Sequence, residues 1–202
     1  MRKGLLVVIS GPAGSGKGTV IERLLEDPAF AYSVSVTTRA PRPGERNGVN
    51  YWFLSREEYE ERKASGDLLE SAEFDGNGYG TPRKQAEELL EQGKNLVLEI
   101  EVNGAMQIKK AYPEALLVML LPPSFTEQEK RLRGRNTQTE ESIQRRLKRG
   151  REEVGFLQEY DYFVFNRDGD PDACAEEIRT IVRAEQCAVR RNPDALKNYL
   201  EN

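Results

Sequence analysis

A glycine-rich segment near the start of the chain carries the clearest chemical signal in the sequence. It reads GPAGSGKGT and fits the pattern G-x-x-x-x-G-K, but a glycine follows where Ser or Thr is usual. Such glycines let successive backbone N–H groups turn inward around phosphate oxygens, and the lysine neutralises their charge. The segment therefore predicts a nucleoside triphosphate site built from Gly11, Pro12, Ala13, Gly14, Ser15, Gly16, Lys17, Gly18 and Thr19.

The glycine at position 18 bears on metal binding, because loops of this type often offer a hydroxyl to Mg²⁺ at that position. We expect Mg²⁺ to bind mainly through phosphate oxygens and water, which suits an ion that keeps much of its hydration shell. Thr19, one residue along, is a candidate protein contact to the metal, and the family resemblance described below implies Glu101 as the other.

Short apolar runs that alternate with helical stretches must hold this loop in place. The runs suit strands buried on both faces of a parallel sheet, and the phosphate loop directly follows the first one. The predicted strands are Gly4–Ser10, Asn95–Glu101, Ala115–Leu121 and Asp161–Phe165. The predicted helices are Thr19–Glu26, Gly104–Ala111, Ser124–Arg133 and Pro171–Ala188. Ser124 with Glu127 fits a capping box. This order predicts an α/β fold with right-handed crossovers.

Residues 33–92 interrupt that alternation. They contain polar-interrupted strands, glycine-rich turns and one short helix, which predicts a small, mostly antiparallel lobe inserted into the core. The expected strands are Ser33–Thr38, Tyr51–Leu54 and Leu68–Phe74, and the helix is Arg56–Ala64, opened by a capping box of Ser55 and Glu58.

A basic stretch, Lys130–Arg151, holds nine basic and two acidic residues. Its charge of +7 leaves −11 on the rest of a chain whose net charge is −4. A cluster of this kind suits either a solvated helix face or a surface that meets phosphate groups.

The composition of the 202 residues narrows the chemistry further. The chain has no His, which excludes Ser-His-Asp and Cys-His nucleophile systems, a His-ligated zinc and an imidazole base. Its two cysteines, Cys174 and Cys187, are too few for a disulfide framework, and we expect them to be reduced thiols. The apolar runs are too short to span a bilayer, and no signal peptide is expected at the N-terminus. We therefore expect a soluble, cytoplasmic protein.

Two clusters in the inserted lobe carry a family resemblance. The first, Ser35–Tyr51, contains T-T-R-x-P-R-x-G-E-x-x-G-x-x-Y, and the second, Glu70–Pro82, contains a Gly-Tyr-Gly-Thr turn. Together with Leu-Glu-Ile-Glu at 98–101 and R-L-x-G-R-x-T-x-T-E-E-S-I-x-x-R at 131–146, they fall in one order. On these motifs the sequence resembles the guanylate kinase family over about residues 4–187.

The resemblance implies a P-loop nucleoside monophosphate kinase fold, in which helices flank a parallel sheet and a small antiparallel GMP-binding lobe and a basic lid are added. The chain would then be a single domain, 1–202. Its parts would be a core of 1–32, 93–125 and 156–188, a GMP-binding lobe of 33–92, a lid of about 126–155 and a tail of 189–202.

The family pattern also implies roles for residues on the acceptor side. Arg39 and Arg42 would clamp the phosphate of GMP, since guanidinium forks match phosphate oxygens. Glu70 would accept the N1–H and N2 amino hydrogens of guanine, which adenine lacks. Glu99 and Glu101 stand where the family commonly has an Asp pair. The complete set of implied GMP-binding residues is Ser35, Arg39, Arg42, Tyr51, Glu70, Tyr79, Thr81, Glu99 and Glu101.

On the donor side, the resemblance implies three lid arginines, Arg131, Arg135 and Arg146, that close over the ATP phosphates. Asn166 resembles the position that contacts adenine. Lys17, Arg39, Arg135 and Arg146 would be the catalytic residues.

The implied reaction is ATP + GMP to ADP + GDP, with dGMP as a second acceptor and Mg²⁺ as cofactor. Phosphoryl transfer depends on alignment and charge neutralisation, so a chain without His can perform it. We expect no nucleic-acid or membrane partner, and either a monomer or a homodimer. The sequence leaves two alternatives open: another small P-loop nucleotide kinase, or a catalytically inactive guanylate-kinase-like module that binds phosphopeptides.

Overall fold

Two β-sheets and seven α-helices make up the regular structure in the part of the chain that the computed structural model describes, which is residues 3–134, 139–167, 170–194, 197 and 199–200. In chain order the elements are β1 (Leu6–Ser10), α1 (Lys17–Leu24), β2 (Phe30–Tyr32), β3 (Val36–Thr37), β4 (Trp52–Phe53), α2 (Arg56–Ala64), β5 (Leu68–Phe74), β6 (Asn77–Pro82), α3 (Arg83–Glu91), β7 (Asn95–Glu99), α4 (Val102–Ala111), β8 (Leu116–Leu121), α5 (Phe125–Arg133), α6 (Glu140–Val154), β9 (Tyr162–Phe165) and α7 (Pro171–Cys187).

The larger sheet has five parallel strands in the order β2-β7-β1-β8-β9. Val8 of β1 pairs with Leu98 of β7 on one side and with Leu117 of β8 on the other, so the strand before the phosphate loop is central. The four predicted strands are present, although β7 ends at Glu99. The fifth strand, β2, was not expected, since its three residues are too short to show a pattern.

Both faces of this sheet are buried, as the continuous apolar runs predict. Alternate residues of β1 enter different cores, with Val8 in one and Val7 and Ile9 in the other. The first core is completed by α3 and α4, and the second by α1 and α7. The carboxyl ends of the strands therefore lie at one edge of a rigid three-layer body, where open α/β sheets place their ligands.

The smaller sheet, in the order β4-β3-β6-β5, is the inserted lobe. Its β5/β6 and β3/β6 pairs are antiparallel, and its β3/β4 pair is parallel. Four expectations needed correction. Residues 83–91, expected in a lobe with one short helix, form a second helix, α3, which packs on the large sheet. The predicted strands at Ser33–Thr38 and Tyr51–Leu54 shrink to two residues each, and the segment that contains the Gly-Tyr-Gly-Thr turn is the strand β6.

A small core of Val36, Tyr59 and Leu68 holds the lobe together. The ring of Tyr59 is fully buried, and its hydroxyl donates to the backbone carbonyl of Tyr79 at 3.1 Å. Helix α2 begins with the predicted capping box, in which Ser55 and Glu58 each bond the other's backbone N–H. This packing fixes β6, which carries Tyr79 and Thr81.

The basic stretch covers the last turn of α5 and helix α6 from its start to Arg151. Ser124 caps α5 by accepting from the N–H of Glu127, but the Glu127 side chain binds Lys130 and Arg131 and does not complete the predicted capping box. Leu132, Ile143 and Leu147 pack the two helices together beside Ala13 of the phosphate loop. Within the described ranges, no helix is long and apolar enough to cross a membrane.

Candidate active site

The phosphate loop joins the end of β1 to the start of α1 and needs glycine at two positions for steric reasons. Gly11 has φ +152°, and a Cβ there would lie 2.0 Å from the carbonyl oxygen of Leu120. Gly16, the N-cap of α1, has φ +88°, and its Cβ would lie 2.3 Å from the amide nitrogen of Asn166. The loop is thus pressed against β8 and the end of β9, with its backbone turned toward the sheet edge.

The lysine of the loop folds back over the loop backbone. Lys17 Nζ donates to the carbonyl oxygen of Gly11 at 2.5 Å and lies 3.5 Å from that of Pro12. Because α1 begins at Lys17, the positive end of the helix dipole lies beside the ammonium group. The arrangement concentrates positive charge where a triphosphate would lie.

Two buried amide side chains support the loop from behind. Asn166 Nδ2 donates to the carbonyl of Ser15 at 2.8 Å, and Gln128 Nε2 donates to the carbonyl of Ala13 at 3.0 Å. Arg131 adds a bond from Nη2 to the backbone carbonyl of Asn166 at 2.9 Å. Asn166 and Arg131, both expected on the ATP side, therefore meet beside the loop. Gln128 was missed, since a polar residue on a helix gives no sign of a partner 115 positions away.

One cavity of about 430 Å³ joins the loop to the inserted lobe. Residues from the phosphate loop, β2, the lobe, the edge after β7 and helix α6 line it. Those that the sequence singled out are Gly11, Ala13, Lys17, Ser35, Arg39, Arg42, Tyr51, Glu70, Tyr79, Glu99, Glu101 and Arg146. Predicted donor-side and acceptor-side residues thus share a single chamber, although they come from segments more than a hundred residues apart.

A buried carboxylate closes the deep end of the lobe. Glu70, on β5, is 5% exposed and accepts a hydrogen bond from Thr81 Oγ1 at 2.8 Å. Burial raises the pKa of Glu70 to about 7, and the charge of Glu101 adds to the rise, while the Thr81 bond opposes it. Its second oxygen lies against α4, where a Cβ on Gly104 would come within 3.0 Å. Thr81 reaches the cavity only through this carboxylate.

The two arginines of the lobe are held by a residue that the sequence analysis did not single out. Glu45 accepts two bonds from Arg39 Nη2, at 2.9 and 3.0 Å, and one from the backbone N–H of Arg42 at 2.7 Å. The Arg39 guanidinium also lies 5.4 Å from the centre of the Tyr51 ring, within cation–π range. The ring of Tyr51 in turn meets that of Tyr79 edge-on at 6.1 Å. Arg39, Tyr51 and Tyr79 therefore form one preassembled wall of the cavity.

The two glutamates at the sheet edge have different surroundings. Glu99 ends β7 near the phenols of Tyr32 and Tyr51, whose pKa values are raised by burial and further by the charge of Glu99. Glu101, the N-cap residue of α4, forms an ion pair with Arg149 of α6. Tyr32 and Arg149 line the cavity and were missed by the sequence analysis.

The remaining predicted residues of the phosphate loop do not line the cavity. Gly18 and Thr19 are exposed on the first turn of α1, while Pro12, Gly14, Ser15 and Gly16 form the body of the phosphate loop. Arg135 lies outside the described residues. Among the described residues, no group of three or more His, Cys, Asp or Glu side chains converges on a metal position.

Comparison with known proteins now gives the family. The guanylate kinase family model matches residues 3–185. The chain belongs to the guanylate kinase family. It is 51% identical to a guanylate kinase of Bacillus anthracis over 202 residues, which cover 99% of this chain and 98% of the relative. It is 52% identical to a guanylate kinase of Trichormus variabilis over 176 residues, covering 87% and 88% of the two chains.

A solved structure supports the same assignment of guanylate kinase at the level of the fold. The crystal structure of guanylate kinase from Anaplasma phagocytophilum superposes with a TM-score of 0.77 at 35% identity, and covers 95% of this chain and 90% of that one. The predicted P-loop kinase fold, with helices flanking a parallel sheet, is thus confirmed for this chain.

Proposed function

We propose that this protein transfers the γ-phosphate of ATP to the phosphate of GMP, with dGMP as a second acceptor and Mg²⁺ as cofactor. The observation that carries the proposal is the shared cavity, which brings Lys17 of the phosphate loop together with Arg39 and the buried Glu70. One chamber for both substrates lets the acceptor oxygen meet the γ-phosphorus directly, as in-line transfer requires.

Glu70 selects guanine in this proposal. An ionised carboxylate accepts from the N1–H and the N2 amino group together, and the Thr81 hydroxyl, which donates to Oε1, orients it. Adenine would present an acceptor nitrogen to the same carboxylate. A site built on such unpaired groups rejects the wrong base strongly. Ser35 lines the same cavity and completes the base-reading set.

Arg39 and Arg42, with Tyr51 and Tyr79, hold the phosphate of GMP. Glu45 accepts from the Arg39 guanidinium and from the backbone N–H of Arg42. It thereby preorganises the Arg39 side chain and the backbone that carries Arg42, so less freedom is lost when the phosphate binds. Arg39 keeps its stacked position on Tyr51, and this limits the directions in which the phosphate can be held. The attacking oxygen is thereby aimed along the cavity toward Lys17.

Charge that develops on the transferring group is stabilised from the donor side. Lys17 and the loop N–H groups surround the β- and γ-phosphates, and Arg146 of α6 faces the same cavity. We assign Arg135 and Arg131 to the same lid. Arg131 also ties the backbone of Asn166 to helix α5, so the adenine side of the site and this part of the lid are connected.

The metal is expected to come with ATP. Mg²⁺, when bound, supplies neutralisation of the β- and γ-phosphate charge. Thr19, exposed beside the loop, and Glu101 are the chain's own candidate contacts, and the Arg149 ion pair of Glu101 favours Thr19. Most of the coordination would then come from phosphate oxygens and water.

Neither alternative from the sequence has an observation in its favour. A non-catalytic phosphopeptide-binding module has no need for Lys17 in a complete phosphate loop that opens into the acceptor cavity. An adenylate-specific kinase has no need for a buried carboxylate at the base position. We further propose a cytoplasmic enzyme, a monomer or homodimer, with the core, lobe, lid and tail boundaries given above.

The test is a coupled ADP-release assay across GMP, dGMP, AMP, CMP and UMP, with ATP and Mg²⁺ in every reaction. We expect kcat/KM for GMP to exceed that for AMP by about 10⁴-fold, with dGMP second. ADP release that does not depend on a guanine nucleotide would contradict the proposal.

A further inference from the structure

Arg149 of helix α6 touches three separate parts of the molecule. Its guanidinium pairs with Glu101 at the sheet edge, its Nε donates to Glu153 on its own helix at 3.1 Å, and its Cζ lies 4.3 Å from the ring centre of Phe74 on the lobe. Arg149 thus contacts Phe74, which lies 75 positions earlier in the chain. The motifs discussed above gave Arg149 no role.

The contact with the lobe continues into the proposed phosphate wall. Phe74 stands at the end of β5, and its ring meets that of Tyr79 at 6.4 Å. Phe74 is 42% exposed, so little else of the protein covers it. The ring of Phe74 stacks on a paired arginine at the surface, so the contact joins the lobe to helix α6 outside any buried core.

The two carboxylates on Arg149 each face a functional group. Burial raises the pKa of Glu70, and the charge of nearby Glu101 raises it further, so Arg149 offsets a charge that would disfavour the ionised guanine reader. Glu153 lies close enough to Lys17 for the lysine to lower its pKa, against the rise caused by burial. Arg149 therefore connects the acceptor site to the neighbourhood of the phosphate loop.

We propose that Arg149 is a positioning residue that clamps the acceptor lobe and helix α6 to the sheet edge, so that the GMP pocket is complete. The inference rests on the proposed function, because that pocket is the proposed GMP site. In this proposal Arg149 acts through Phe74 and Glu101. The extra methylene of Glu101, relative to an aspartate, extends its carboxylate toward this arginine.

The test uses the full-length enzyme and the variants Arg149→Ala, Phe74→Leu and their combination. Lys148→Ala is the matched control, since Lys148 is an exposed cation on the same helix. GMP affinity is measured without ATP from the fluorescence of Trp52, the single tryptophan of the chain, which lies in the lobe beside Tyr51. Steady-state kcat and both KM values, together with Tm, are measured on the same samples.

We expect Arg149→Ala to raise the Kd and KM for GMP by about 5- to 20-fold, with kcat and the KM for ATP within about threefold of wild type. Phe74→Leu should raise the same constants by about two- to fivefold, and the double variant should resemble Arg149→Ala, because both changes remove one joint. Lys148→Ala should match wild type. Phe74→Leu alone tests the clamp if Arg149→Ala does not fold.

Three results would overturn the clamp. A loss of kcat by a hundredfold or more at unchanged GMP affinity would make Arg149 a catalytic residue. Additive effects of the two substitutions would show that Arg149 and Phe74 do not act on GMP binding through one shared contact. A fall in Tm without any change in GMP binding would show that Arg149 has only a structural role. Glu70→Gln, run in parallel, separates the two proposals. Unchanged GMP affinity in Glu70→Gln would refute the GMP site itself, whereas a loss there with normal binding by Arg149→Ala would refute only the clamp.

Discussion

Glu70→Gln should weaken GMP turnover while making the free protein more stable at alkaline pH. The Glu70 carboxyl has a pKa of about 7 against an ordinary value of 4.5, mainly because of burial. The folded chain thus keeps a proton that the unfolded chain releases between about pH 4.5 and 7. Folded-state stability therefore falls as the pH rises through this window. A rise of that size corresponds to about 3 kcal/mol once the group is fully ionised.

The neutral amide avoids this cost but leaves an N–H₂ group facing α4, so we expect a net gain of about 1–3 kcal/mol in the free energy of unfolding at pH 8. For a chain of this size the gain corresponds to about 2–4 °C in Tm per kcal/mol. At pH 5 both proteins carry a neutral side chain at position 70, and their stabilities should agree within about 0.5 kcal/mol. Calorimetry or urea unfolding at the two pH values measures the difference.

Activity should change in the opposite direction. Gln keeps one acceptor oxygen but places an amide donor against a guanine donor. The transition state for GMP should therefore lose about 2–4 kcal/mol of stabilisation, which lowers kcat/KM for GMP by about 30- to 1,000-fold. ATP affinity should stay within about twofold, since Glu70 lies in the lobe. Wild-type GMP binding should also weaken by about tenfold for each pH unit below 7, as Glu70 takes up its proton. The phosphate of GMP titrates near pH 6 in both proteins, so Glu70→Gln serves as the control for that effect.

Two outcomes would refute the reasoning. An unchanged GMP/AMP ratio of kcat/KM in Glu70→Gln would show that guanine is recognised elsewhere. Equal stability of the two proteins at pH 8 would show that the carboxyl is ionised without cost.

Three further substitutions test the donor side and the shape of the base pocket. Lys17→Ala should lower kcat by about 10²–10³-fold in steady-state kinetics, while circular dichroism shows that the fold is retained. A folded variant with normal turnover would exclude a role for Lys17 in stabilising the transferring phosphate. Arg146→Ala should lower kcat more than it raises the KM for GMP, with exposed Arg145→Ala as control, whereas an effect on GMP affinity alone would move Arg146 to the acceptor site. Gly104→Ala puts a Cβ 3.0 Å from Glu70 Oε2, so the KM for GMP should rise about three- to tenfold while the KM for ATP stays constant. An unaltered KM for GMP would mean that the carboxylate can move away from the new methyl group without loss.

The fold could be predicted where burial leaves a continuous pattern. The four long apolar runs are strands because both faces of the sheet are covered. Helices α1, α4, α5 and α7 were predicted beside them, whereas α3 and α6 were not. Strand β6 was missed because its sequence NGYGTP contains residues that strands usually lack. Packing explains them: a Cβ on Gly78 would lie 2.6 Å from the Tyr59 ring, and one on Gly80 would lie 2.9 Å from the carbonyl oxygen of Glu70. Such contacts are absent from any local pattern.

The sequence predicted those site residues that belong to the motifs. Motifs gave Lys17, Arg39 and Glu70, which line one cavity or close its end. The first lobe motif contains Glu45 but did not indicate that it holds Arg39, and Gln128 acts through a partner that only the folded chain brings near. The structure also shows that the amide of Asn166 donates to the backbone carbonyl of Ser15, a contact that the family pattern did not indicate.

The central claim is that the γ-phosphate passes directly from ATP to GMP inside one cavity. Single-turnover mixing of γ-labelled ATP with enzyme, Mg²⁺ and excess GMP, followed by chromatographic separation, tests it most directly. We predict that the label appears in GDP at the same rate as ADP forms, with none on the protein and almost none as inorganic phosphate. Label on the protein, or inorganic phosphate as the main product, would contradict the account.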